Sequence, residues 1–244
     1  MNLLSLFAFF LLFLQRYSSI RSGSSLFPVG FVVLLFLFVI GLVVLIVVLS
    51  RKFRQKRILA LQTFGAQNGW TFVPNATING FQNAAAYSIF NHRSRDLIAL
   101  LQRPHDDGEA LVFDYAYTVG SGKNRHTYKQ TVAAFRTPRL MIPFFSLYPE
   151  SFFSFIGEMF GYNDIDFATH PVFSKNFKLS GNDEMQIRGI FHPQVLSFLE
   201  QLPSIRVDGG GNSLFVYSHN QTVKPENLNN FLMNAVNIYN QFRR

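Results

Sequence analysis

The stretch Gly120-Ser121-Gly122-Lys123 comes nearest in this chain to a phosphate loop. That loop needs Gly-x4-Gly-Lys-Ser/Thr so that backbone N–H groups wrap the phosphates, but position 117 is Tyr and position 124 is Asn. It also needs a following helix whose N-terminus faces the anion, and the residues after Lys123 read as a strand. The segment is therefore a turn. Gly209-Gly210-Gly211 also reads as a hairpin turn, because no G-x-G-x-x-G opens a helix there. The six histidines (His92, His105, His126, His170, His192, His219) show neither H-x3-H nor HExxH spacing. With no cysteine in the chain, thiolate zinc sites, iron–sulfur clusters, disulfides and cysteine nucleophiles are excluded. His105-Asp106-Asp107 offers metal-ligand types, but between Pro104 and Gly108 it reads as a solvated turn. Asp164 and Asp166 alternate on a short strand expected over 164–167, and they read as a solvated face rather than an acid–base pair. No G-x-S-x-G elbow is present. The sequence thus names no catalytic, cofactor-binding or metal-binding residue. Asp114, Asp164, Asp166 and the histidines remain the groups a fold would have to bring together in a pocket to make one.

The elements around these residues are short. β-prone runs are expected at Trp70–Val73, Tyr87–Asn91 and Leu97–Leu101. The strongest hairpin signal spans GEALVFDYAYTVGSGKNRHTYKQTVAAFRTP, two strand-like arms around a turn at Gly120–Asn124. Phe113, Tyr115 and Tyr117 share one face of its first arm and Asp114, Ala116 and Thr118 the other, which suggests an antiparallel sheet with one covered face. Helical spacing predicts a helix after Pro149 (Phe152, Phe153, Ile156, Met159, Phe160), a short one after Pro193, and a clear amphipathic one after Pro225. A second hairpin is expected from Ser204–Asp208 and Ser213–Ser218. Strands and helices in mixed order, with hairpins rather than βα repeats, give an α+β fold with about three packed helices.

The string from Val112 to Val132, with FDYAY, GSGKNR and QTV, resembles a family of bacterial membrane-anchored proteins of unknown function. The resemblance implies an N-terminal anchor with a cytoplasmic domain behind it, and carries no activity, cofactor or site residue.

Charge and hydropathy are unevenly placed. Leu26–Leu49 holds no charged residue. As a helix it is about 36 Å long, enough to cross a hydrocarbon core of about 30 Å. Seven of the 22 basic residues and none of the 14 acidic ones precede Ile58. The rest of the chain is therefore nearly neutral, unlike a nucleic-acid binder, and nucleic acid is not an expected partner. Arg51, Lys52, Arg54, Lys56 and Arg57 form a membrane-flanking cluster that places the C-terminal domain in the cytoplasm by the positive-inside rule. The same cluster suits anionic lipid headgroups. The expected organisation is 1–25, a short hydrophobic segment (interfacial, a short second span, or removed); 26–49, the transmembrane helix; 50–68, a basic juxtamembrane helix stopped by Asn68-Gly69; and 69–244, the cytoplasmic domain. Asn75-Ala76-Thr77 and Asn220-Gln221-Thr222 match glycosylation acceptors by chance in a cytoplasmic domain.

Of 29 phenylalanines, 20 follow Ile58, many between Leu140 and Phe160. Most read as core. Phe144, Phe145 and Phe155, off the helical stripe, are the candidates for contact with lipid or a protein partner. The expected function is a membrane-anchored binding or scaffolding module for a protein partner or the membrane surface, with no cofactor. The alternative is a membrane-tethered enzyme whose site assembles only in the fold.

Overall fold

The computed structural model describes residues 12, 26–78, 81, 83–92, 94–152 and 164–243. The chain divides into two compact units, Met1–Phe53 and Arg54–Arg244. In the first unit the described residues belong almost wholly to helix α1 (Leu26–Gln67), which runs on into the second. It is long and apolar enough to cross a membrane, with a mean hydropathy of 3.7 over its most apolar stretch and none of that stretch buried by protein.

The second unit is α+β, as expected. Eight antiparallel strands form one sheet in the order β1-β2-β3-β4-β8-β7-β5-β6. They are β1 (Thr71–Val73), β2 (Ser94–His105), β3 (Gly108–Val119), β4 (His126–Arg136), β5 (Ile142–Pro149), β6 (Phe177–Gly181), β7 (Arg206–Gly211) and β8 (Ser213–Tyr217). Among the described residues this unit also holds the helices α2 (Pro171–Asn176), α3 (Glu184–Ile190), α4 (Pro193–Leu199) and α5 (Leu228–Phe242). The Asn68-Gly69 stop of α1 acts as expected: Gly69 takes φ +70° and the Trp70 N–H bonds the Gly65 carbonyl at 2.9 Å, closing the helix end.

The sheet is covered on both faces, not one. Alternation along the strands sends Leu101, Val112, Phe135, Val216, Val207 and Leu147 to the helix face. There they join Leu61 and Phe64 of α1, Ile187 of α3, Leu196 and Leu199 of α4, and Ile238, Tyr239 and Phe242 of α5. Each of the large apolar side chains so enclosed contributes about 1.5–3 kcal/mol. The opposite face carries Phe113, Tyr115, Tyr117, Val132, Phe215 and Tyr217, roofed by Phe81, Tyr87, Ile89 and Phe90. Asp114, expected on an open face, is 1% exposed, because the end of α1 covers it.

Four local expectations change. Residues 87–91 are not a strand: Ser88–Phe90 form a 3-10 turn that follows another at Ala84–Ala86, and Ile89 and Phe90 are both buried in the roof. Residues 164–167 stay outside the ladder. Ile165 N–H bonds the Leu179 carbonyl at 2.8 Å, but the Asp164 carboxylate takes the Leu179 N–H (3.1 Å) and the Lys178 ammonium (2.6 Å). Gly209–Gly211 belong to β7, and Asn212 makes the turn. Ring atoms of Phe145 stand 2.5 Å from where a Gly209 Cβ would lie, and those of Phe144 crowd the same place at Gly210 on the other face. Gly209 and Gly210 are there for ring access, whereas Gly211, at φ +56°, bends the chain into the turn with Asn212. The helix expected after Pro149 begins as a 3-10 turn, Glu150–Phe152; its remaining stripe (Phe153, Ile156, Met159, Phe160) lies outside the described residues.

Candidate functional site

Register across the sheet places Leu111, Ala134, Phe215, Asp208, Ser146 and Ser180 in one row on the roofed face. The row changes from apolar to polar where β8 meets β7. A neighbouring row, Phe113, Val132, Tyr217 and Arg206, changes at the same strand boundary. β7 reads Arg-Val-Asp, so its period of two sends both charges to one face and Val207 to the helix core.

Asp208 is 1% exposed and carries its charge on hydroxyl donors. Ser88 Oγ and Ser146 Oγ (2.6 Å) both donate to Oδ1, and the Tyr217 hydroxyl donates to Oδ2 at 2.6 Å. Arg206 lies over the rings of Tyr148 and Tyr217, 5.6 and 5.5 Å from their centroids. Burial pushes the Tyr217 phenol well up, with Asp208 adding to the rise and Arg206 opposing it. Beyond Arg206, the His92 ring stacks on Tyr117 at 3.8 Å, and His219 Nδ1 is 3.2 Å from the Tyr117 hydroxyl. Burial pushes Tyr117 up to about 12. Burial first, and the Arg206 charge second, lower both His92 and His219 to about 4.

These histidines set a pH dependence. Neutral when folded and half-protonated near pH 6.5 when unfolded, they give the unfolded chain more protons between about pH 6.5 and 4, so stability falls as pH is lowered through that window. Both are partly solvated, so the screened loss is about 1–2 kcal/mol from each. His105, lowered chiefly by burial, acts in the same direction. Urea midpoints of the detergent-solubilised chain at pH 7 and pH 4.5 check this, and the double variant His92→Phe, His219→Gln should flatten the dependence.

Beside Asp208, between residues 85–91 and the β5–β6 pair, opens a cleft of about 280 Å³. Tyr87, Ser88, Asn91, Phe144, Ser146, Ser180 and Asn182 line it. Tyr87 is fixed by its hydroxyl on the Gly210 carbonyl (2.8 Å), and its ring meets Phe144 at 5.4 Å. Ser180 is hydrogen-bonded to Tyr148. Ser88 and Ser146 are not set up as nucleophiles, since the proton each would have to lose points at a carboxylate, a weak base toward an aliphatic hydroxyl.

The residues singled out from sequence are distributed otherwise. Arg57 is not free for headgroups: its Nε and Nη2 hold Asp114 at 2.6 and 3.0 Å. Thr131 donates to the same carboxylate at 2.7 Å. Arg54 pairs with Asp96 at 2.7 Å, half exposed. Arg51, Lys52 and Lys56 are exposed and make no ion pair among the described residues. Phe145 is 3% exposed, edge-on to Phe191 at 5.0 Å, and so is a core residue with no surface to offer lipid. Phe144 is half-buried in the cleft wall. Phe155 lies outside the described residues. Asp114, Asp164 and Asp166 do not converge. Asp114 faces the helix side, Asp164 pairs with Lys178, and Asp166 is exposed with its carbonyl bound by Arg188 at 2.7 Å. Ser88, Ser146, Ser180 and Asp208 were not foreseen. The available signal was Arg206 and Asp208 alternating on a strand that pairs with the largely apolar SLFVY.

The chain matches no family of known proteins, no curated protein and no solved structure.

Proposed function

We propose that this chain is a membrane-anchored binding module: α1 crosses the bilayer, and the α+β domain, on the cytoplasmic side, holds a small ligand in the cleft beside Asp208. The Asp208 group carries the reading. A buried carboxylate satisfied by three hydroxyls is a fixed polar floor, and it lies next to a concave space with aromatic walls. The domain surface supports a cleft over a flat docking patch. Among the described side chains of 54–243 no Phe, Tyr or Trp is exposed, and the exposed large apolar side chains are Leu59, Met141, Val172, Met185 and Met233. The five cations of Arg51–Arg57 support the cytoplasmic side. Arg51, Lys52 and Lys56, exposed and without an ion pair among the described residues, suit anionic headgroups, at about 1 kcal/mol per cation.

A reporter fused after Arg244 tests the side, and activity confined to the outside overturns it. For the cleft, the full chain in phosphatidylcholine nanodiscs is screened by thermal unfolding against a chemically diverse set of small polar compounds. A ligand far above its Kd raises the midpoint by several degrees, and Ser146→Phe, which fills the cleft, loses that rise. If no compound raises the wild-type midpoint, the cleft is not a ligand site.

A further inference from the structure

We infer that the cleft takes a ligand through a primary ammonium group; this rests on the cleft being the ligand site and specifies what that ligand presents. A serine hydroxyl has one hydrogen, and at Ser88 and Ser146 that hydrogen is committed inward, both to the same oxygen of Asp208. What the two side chains have left for the cleft is lone pairs. They act as acceptors only, and the carboxylate behind them makes both oxygens more negative. A ligand carboxylate or phosphate would meet two acceptors there with no hydrogen to receive, whereas an –NH₃⁺ head has three to give.

The walls agree with that polarity. The rings of Tyr87 and Phe144 stand 5.4 Å apart, tilted by 54°, and both line the same space, adding aromatic carbon to its wall. The buried cation Arg206 does not line the cleft; it lies over Tyr148 and Tyr217 and is hydrogen-bonded to Tyr117. Lys178, the next cation along β6, is neutralised by Asp164 at 2.6 Å and Glu150 at 3.3 Å. Asn91 and Asn182 at the rim each offer a carbonyl and an amide, which suits a polar group elsewhere on the ligand. A cleft of about 280 Å³ lies just below the range of drug-sized pockets, so the ligand is small or enters by its head alone. A free amine and an ethanolamine lipid headgroup share this chemistry.

The test titrates phenethylamine, phenylpropionate and phenylethanol, alike in size and different in head group, into the full chain in phosphatidylcholine nanodiscs, read by ligand-observed NMR. Phenethylamine should bind at least about 10-fold more tightly than either analogue. Ser146→Ala and Phe144→Leu should each weaken it by about 5- to 10-fold, with urea midpoints confirming that each variant is folded. Tighter binding of the acid or the alcohol overturns the ammonium assignment and leaves the cleft as a ligand site. No binding of any of the three overturns the cleft reading along with it. Repeating the titration in nanodiscs containing phosphatidylethanolamine separates the two sources: competition assigns the headgroup, unchanged affinity a free amine.

Discussion

Exchanging Asp114 for alanine in the full chain lowers its unfolding free energy by about 3–5 kcal/mol, the range for a buried ion pair deprived of one partner. The size follows from what is left behind. Arg57 Nε and Nη2 point at the two carboxylate oxygens, 2.6 and 3.0 Å away, and Arg57 Nη2 also reaches Thr131 Oγ1 at 3.3 Å. Without Asp114 the guanidinium faces an apolar interface with one neutral hydroxyl, and that hydroxyl must also serve the Val223 N–H (2.9 Å). Asp114→Asn should lose less, since one acceptor oxygen remains. Arg57→Met together with Asp114→Leu should recover much of the loss, because an apolar pair removes both desolvation terms. Trp70, the single tryptophan, is buried with Arg103 stacked 4.4 Å from its ring, so its fluorescence reports the transition. An Asp114→Ala midpoint within about 0.5 kcal/mol of wild type would show that the pair does not hold the end of α1 on the sheet.

The second large effect belongs to Asp208. Asp208→Ala removes the acceptor for three hydroxyls at once and should reduce stability by about 3 kcal/mol, with about 1–2 for Asp208→Asn. The total is smaller than three independent bonds would suggest, because Ser88 and Ser146 are half-buried at the cleft and can turn to water. Tyr217, 1% exposed, has no such outlet. Tyr217→Phe in the Asp208→Ala background should therefore restore about 1 kcal/mol, since it deletes the orphaned hydroxyl. If the double variant is no more stable than Asp208→Ala alone, the phenol has found another acceptor.

Much of the fold was legible, and for local reasons. The hairpin of β3 and β4 follows from a strict period of two around a glycine-rich turn, and α5 from a stripe with a period near 3.6. Both patterns are complete within one stretch of chain. β5, β6, α2 and α3 were not foreseen: the longest is eight residues, and their identity comes from pairing and packing partners distant in sequence. The same reason hid the site. Ser88 meets Asp208 across 120 positions, and neither residue carries a local signature of that meeting. The basic cluster was read as one unit facing lipid, but side chains three apart on a helix lie on one face, so Arg54 and Arg57 turn together toward the sheet. Asp114 was visible as a charge on a strand; that α1 would cover it was a tertiary fact.

Two glycines in β7 carry a consequence for how this sequence can drift. Because the rings of Phe145 and Phe144 occupy the two sides of the strand at Gly209 and Gly210, a side chain at either glycine would collide with a ring. A methyl at 209 needs a smaller residue at 145, and shrinking 145 alone leaves a void. Descendants of a common ancestor should therefore swap volume between 145 and 209 in concert. At 210 the constraint is looser, since Phe144 has open space into which it can swing.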